Sequence, residues 1–191
     1  NNILFIPYSI SQYSNHIDSS PIASSFDDCL KMHCNFFEAL KEINLNHKIL
    51  IRLKSGFVLR NLEEEYYQQS GLTNFVYSDE ESLLDSISRS ELIIVTYDST
   101  VFLESLTLNK PTCLFIRKDF WEMSKESVPY FEDFVACGIL HYDETSLAQH
   151  VLKIQDDYSL WWQSDLVQHS VNGFLKKFGL SNDDWDEDWY N

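Results

Sequence analysis

Glycine, proline, cysteine and positive charge are all scarce in this chain: five Gly, four Pro, four Cys, and fourteen Lys plus Arg against thirty acidic residues in 191. With so little glycine, no GxGxxG follows the first apolar segment and no GxxxxGK[ST] occurs, which argues against a hydride-transfer dinucleotide domain and against P-loop enzymes. The formal charge of −16 argues against nucleic acid or an anionic membrane as the main partner, since each needs a basic surface. An anionic ligand must be met locally.

The cysteines (Cys29, Cys34, Cys113, Cys137) form no CxxC. The six histidines (His16, His33, His47, His141, His150, His169) include no pair at a helical ligand spacing. Neither a structural metal nor a disulfide is therefore expected, and the cysteines read as free thiols of a reducing compartment. No apolar run approaches the ~20 residues that span a bilayer, and no signal peptide is visible. The expectation is a soluble, cytoplasmic chain that could work at the inner face of the membrane. It begins with Asn1 rather than Met, so a preceding portion is expected.

What the chain has is aromatic and apolar mass, thirteen Phe, ten Tyr and five Trp, and a length that suits one domain. Its most informative stretch is ELIIVTYDSTVFLESLTLNKPTCLF, Glu91 to Phe115. Leu92 to Tyr97 is an unbroken apolar and β-branched run, too short for a core helix, and reads as a strand buried on both faces. Asp98, Ser99 and Thr100 are capping types, and Val101 to Asn109 has good helix formers with apolar positions facing one way. After an Asn109-Lys110 turn, Thr112 to Ile116 reads as a second strand. The piece is strand, turn, helix and strand, a right-handed crossover in a parallel sheet.

A helix starting at the carboxyl end of a central strand presents free N–H groups and a positive dipole end, so Ser99 and Thr100 are candidate phosphate ligands. Glu104 lies four residues after Thr100, on the same helix face, with the wrong spacing to close a capping box. A ribose diol is its natural partner in a nucleotide site. The alternative is a solvated Glu104 above an ordinary cap.

Elsewhere, Ile3 to Tyr8, Lys48 to Leu53, Asn74 to Tyr77 and Ile139 to Tyr142 read as strands. Helices are expected over Phe26 to Ile43, within Gly56 to Gly71, over Glu80 to Ser90, Tyr130 to Cys137 and Thr145 to Ile154, and as one long element from Leu160 to Phe178. Ser9 to Ser25 is a polar loop too long for a mere connector. Arg52 and Lys54 stand at the carboxyl end of their strand, where open parallel sheets hold ligands. An ion pair with an acidic neighbour is the alternative use of Arg52. Six strand candidates alternating with helices predict an α/β fold, a Rossmann-like doubly wound parallel sheet of about six strands. The expected division is a domain over 1–180 and an acidic, Trp-containing tail over 181–191.

YDSTVFLESLTLNKPTCLF, WEMSKESVPYFEDFVACGILHYDETSLAQHVLKI and DDYSLWWQSDLVQHSVNGFLKKF together resemble the C-terminal half of a transferase family of bacterial surface-polysaccharide (O-antigen) clusters. IPYSISQYSNHIDSSPI and the IRLK strand end look like the same family's opening segments. More distantly, the D-S-T-x-x-x-E spacing is similar to the donor half of GT-B glycosyltransferases and of wall-polymer glycerophosphotransferases. The resemblance implies a donor-nucleotide domain with phosphate on Ser99 and Thr100, ribose on Glu104 and Arg52 pairing with phosphate. It implies no cofactor and no metal. The donor would be a CMP-, CDP- or UDP-linked sugar or a related glycerophosphate, and the glycan acceptor would be held by a further N-terminal domain. Where the family often has an arginine two residues after the glutamate of its Trp-Glu pair, this chain has Ser124, so no donor contact is assigned there. The resemblance identifies no catalytic residue. A reading from a different class is a non-catalytic Rossmann-like module that binds a partner protein.

Overall fold

The computed structural model of the chain describes residues 2–8, 26–42, 47–53, 60–77, 79–120 and 123–179. The Ser-rich loop 9–25, Lys54, the Trp121-Glu122 pair and the acidic tail 181–191 lie outside the described residues. The elements are β1 (Asn2–Ile6), α1 (Phe26–Glu42), β2 (Lys48–Leu53), α2 (Arg60–Gln69), β3 (Phe75–Tyr77), α3 (Leu83–Ser88) and β4 (Leu92–Val95). After them come α4 (Thr100–Thr107), β5 (Thr112–Phe115), α5 (Val128–Cys137), β6 (Leu140–His141), α6 (Glu144–Ile154), α7 (Tyr158–Trp162) and α8 (Asp165–Phe178). All six strands are parallel, in the order β3-β2-β1-β4-β5-β6. This is an α/β Rossmann-like doubly wound sheet.

Alternation along the strands divides the core in two. Leu4, Ile6, Ile93, Val95 and Leu114 face a layer carrying Ile87 of α3, Phe102 of α4, Phe134 of α5 and Phe174 of α8. Ile3, Phe5, Ile51, Ile94 and Phe115 face the other, with Phe36 of α1, Tyr67 of α2 and Val151 of α6. β4 has no exposed position, as a strand covered on both faces requires. The connection after β1 leaves toward one layer and the connection after β4 toward the other. The order therefore reverses between these two strands, and a crevice opens at their carboxyl ends.

Most element ends shift by one to three residues from the sequence reading, and two differences affect the packing of the second half. α5 starts at Val128 with Pro129 in its first turn, because a first-turn N–H has no helical partner to lose. The expected single helix over 160–178 is two. α7 is capped by Asp157, whose carboxylate accepts from Leu160 N, and Ser164 is extended before α8. Trp162 Nε1 donates to Asn109 Oδ1 at 2.7 Å, Trp161 Nε1 to the Cys137 carbonyl at 3.0 Å, and Gln168 Nε2 to the Trp162 carbonyl at 2.8 Å. These bonds hold α7 where the chain passes from one layer to the other. All four cysteines are free thiols. No described helix is long and apolar enough to cross a membrane.

Candidate functional site

At the crevice, β1 and β4 are tied beyond the end of their ladder. The Tyr8 N–H donates to Thr96 Oγ1 at 2.7 Å, and the Tyr8 and Tyr97 rings meet edge-on with centroids 5.5 Å apart. The chain then turns through Asp98 and Ser99 into α4. Ser99 is the cap residue, with extended backbone at φ −153° and ψ 174° and no side-chain bond to the helix. Its Oγ is buried and makes no well-formed hydrogen bond, although it lies close enough to the Tyr97 phenol to act on it. The Ser99 carbonyl accepts from Phe102 N and Leu103 N, while the N–H groups of Thr100 and Val101 have no bonding partner among the described residues. A buried hydroxyl and two unused N–H groups at the positive end of a helix dipole form an arrangement suited to an anion.

Glu104 lies one turn in, exposed and without a hydrogen-bond or ion-pair partner among the described residues. It is close enough to Tyr97 to act on it. Burial raises the Tyr97 phenol pKa, Ser99 works against that, and the charge of Glu104 adds to the rise. Ser99, Thr100 and Glu104 thus share one helix end, beside the two tyrosines. On the other side, Asp98 lines a pocket of about 280 Å³ with Leu103, Ile116, Met123, Ser127 and Phe131. Partial desolvation there raises its carboxyl pKa.

Arg52 is elsewhere. Its side chain leaves β2, two strands from β4, and is only 8 % exposed. Nη1 donates to Ser86 Oγ at 2.7 Å and Nη2 to the Glu81 carbonyl at 2.8 Å. Ser86 Oγ donates onward to Glu81 Oε1 at 2.8 Å, and Arg89 closes the network on Glu81 Oε2 at 2.7 Å. Burial lowers the guanidinium pKa and the Glu81 charge opposes the change. Arg52 is thus held at the start of α3 by a hydroxyl and a backbone carbonyl, in a network that reaches the Glu81 carboxylate through Ser86.

A lysine keeps the charge but not the planar fork that reaches both acceptors. Arg52→Lys is therefore expected to lower unfolding free energy by about 1–2 kcal/mol, with nucleotide affinity unchanged. Urea titration and calorimetry on the same sample check this. Weakened binding at unaltered stability would put Arg52 on the ligand after all.

Sequence reading did not single out Tyr8, Thr96 or Tyr97, and took Asp98 only as a capping type. The usable signal was positional, since these residues directly follow the two strands that flank the reversal in strand order. Nor could spacing show that Cys113, His141 and His150 each bring one ligand-type atom within 4.8 Å of the others.

Six parallel strands and a crevice at their order reversal give the chain the architecture in which open α/β sheets generally hold their ligands at the carboxyl edge. Along its whole length, residues 1–191, it matches the family model described as LIC12162 family transferase. The chain belongs to that family and is a transferase-type protein. No curated protein and no solved structure matches it.

Proposed function

We propose that this domain binds the nucleotide-activated sugar donor of a glycosyltransferase that builds a bacterial surface polysaccharide. Ser99 and Thr100 hold the donor phosphate and Glu104 accepts hydrogen bonds from the ribose diol. The observation that carries the reading is the buried Ser99 Oγ at the α4 N-terminus, which makes no bond to the helix it caps and no well-formed hydrogen bond elsewhere. Burying a hydroxyl without a partner costs free energy, and a phosphate oxygen received there would recover it. A carboxylate one turn further along suits the sugar ring attached to that phosphate. Family membership supports group transfer in general. The acceptor, and the group that activates it, belong in this reading to a further domain.

The test begins with calorimetry and thermal shift of the chain with CMP, CDP, UDP and GDP, at temperatures well below melting. One of the four should bind selectively. Glu104→Gln should weaken both nucleotide and bare nucleoside by about 1–3 kcal/mol, because a charge-assisted pair of bonds becomes a neutral one. Ser99→Ala should weaken the nucleotide and spare the nucleoside. If the parent binds none of the four, or both variants bind as the parent does, the protein-binding module takes over as the better reading.

A further inference from the structure

Away from the crevice, three residues distant in sequence converge between β5, β6 and α6. Cys113 projects from β5, His141 ends β6 and His150 lies on α6. One ligand-type atom of each lies within 4.8 Å of the others. The imidazoles of His141 and His150 have centroids 5.0 Å apart. His150 also meets Trp161 edge-on at 4.8 Å.

The hydrogen bonds define the state of His141. Its Nε2 lies 2.9 Å from the Gly138 carbonyl, which can only accept, so Nε2 carries the proton. Nδ1 then accepts from Ser146 Oγ at 2.9 Å. A ring N–H held by a backbone carbonyl is the usual outer support of a metal-ligating histidine, and it leaves Nδ1 as the nitrogen that could coordinate. For an ion to reach that lone pair the Ser146 side chain must change rotamer and carry its Oγ away from Nδ1. His150 supplies the second, independent observation, since its Nε2 is buried without a hydrogen-bond partner.

Gly138 makes this convergence possible. It is left-handed at φ 82° as the C-cap of α5, and a Cβ there would stand 2.5 Å from His150 Cε1. Any other residue would displace the imidazole. The two histidines also line an open cleft of about 830 Å³ with Gly138, Ser146, Lys153 and Trp161, which gives an ion a way in and solvent a place beside it.

We propose that Cys113, His141 and His150 form a binding site for a single borderline-soft divalent ion of the Zn²⁺ type. The donors are one thiolate and two imidazoles, and water from the cleft completes a tetrahedron. One sulfur and two nitrogens select zinc-like ions over magnesium or calcium, which require oxygen donors. Ligand atoms around a tetrahedral zinc stand roughly 3.5 Å apart, given bonds of about 2.0–2.3 Å. Binding therefore draws the three side chains together by about 1 Å. The Cys113 thiol loses its proton to solvent as the Zn–S bond forms, so uptake releases one proton per ion. The ion would anchor β6, which is only two residues long, to β5 and α6. This site is independent of the donor crevice.

Chain stripped by chelator and dialysed is titrated with Zn²⁺, and separately with Co²⁺ as a spectroscopic probe. One equivalent should bind, with proton release that depends on buffer pH and with a thiolate-to-Co²⁺ charge-transfer band. Cys113→Ser should remove that band. His150→Ala, at a partly exposed position, should keep the fold by circular dichroism while weakening Zn²⁺ at least about tenfold. If Cys113→Ser fails to fold, the band in the parent and the His150→Ala affinity still decide. The proposal is overturned if the parent takes up no stoichiometric ion, if Co²⁺ binds without the thiolate band, or if His150→Ala binds Zn²⁺ as tightly as the parent.

Discussion

Replacing Phe174 with alanine is expected to remove about 3–5 kcal/mol of stability, a large share of the ~5–15 kcal/mol that a domain of this kind has. Phe174 is 4 % exposed and stands at the centre of an aromatic cluster on α8. Its centroid lies 4.9 Å from both Phe134 and Phe178, 5.7 Å from Phe131 and 6.2 Å from Phe102. No single neighbour can move into the space left behind, because its contacts come from α4, α5 and α8 itself. The lost transfer free energy is then compounded by an unfilled cavity. Leu160 is the control. It is 74 % exposed, and Leu160→Ala should change stability by less than about 0.5 kcal/mol. Urea unfolding of both variants gives the comparison, and equal losses would show that α8 does not pack as described. Phe174 also lines the pocket that Asp98 faces, so the truncation should enlarge that pocket.

What could be read from sequence follows the range of each interaction. β2 was legible to the residue, since KILIRL carries its apolar pattern and its ends locally. The C-cap of α5 was legible because Gly138 alone satisfies a left-handed turn there. Ser99, Thr100 and Glu104 could be placed together because one strand, turn and helix holds all three. The break between α7 and α8 was not legible. It depends on Trp162 reaching Asn109, 53 positions away, and apolar spacing runs through 160–178 without marking it. Arg52 shows the same limit. Its place at the carboxyl edge could be read, but its partners Ser86 and Glu81 are 34 and 29 residues distant, and those contacts decide how the guanidinium is used. The tie between Tyr8 and Thr96 spans 88 residues, and it exists only because the strand order brings β1 beside β4.

Acidification should destabilise the fold well before carboxylate chemistry alone would do so, because buried histidines must charge, and His33 is the most strongly shifted of them. It is buried on α1, with Nδ1 2.9 Å from the Tyr67 hydroxyl and the Phe5 ring edge-on at 5.2 Å. Burial lowers its pKa from 6.5 to about 3, so the folded chain keeps it neutral. Tyr67 offers no compensating charge, since burial raises its own pKa and it stays protonated. The sign follows from linkage. The unfolded chain protonates His33 below pH 6.5 and the folded chain does not, so this contribution is complete above 6.5 and is lost as the pH falls toward 3. Across that window the loss is on the order of 5 kcal/mol. At pH 5 it amounts to about one proton, a slope near 1.4 kcal/mol per pH unit. Paired carboxylates add slopes of their own, so the informative quantity is a difference. His33→Gln should unfold at lower denaturant concentration at neutral pH, having lost the imidazole's packing, and its stability should fall less steeply with acid by that one proton. Denaturation midpoints from pH 7.5 to 4.5 for parent and variant supply both slopes. Identical slopes would mean that the folded protein already admits a charged imidazole at this position.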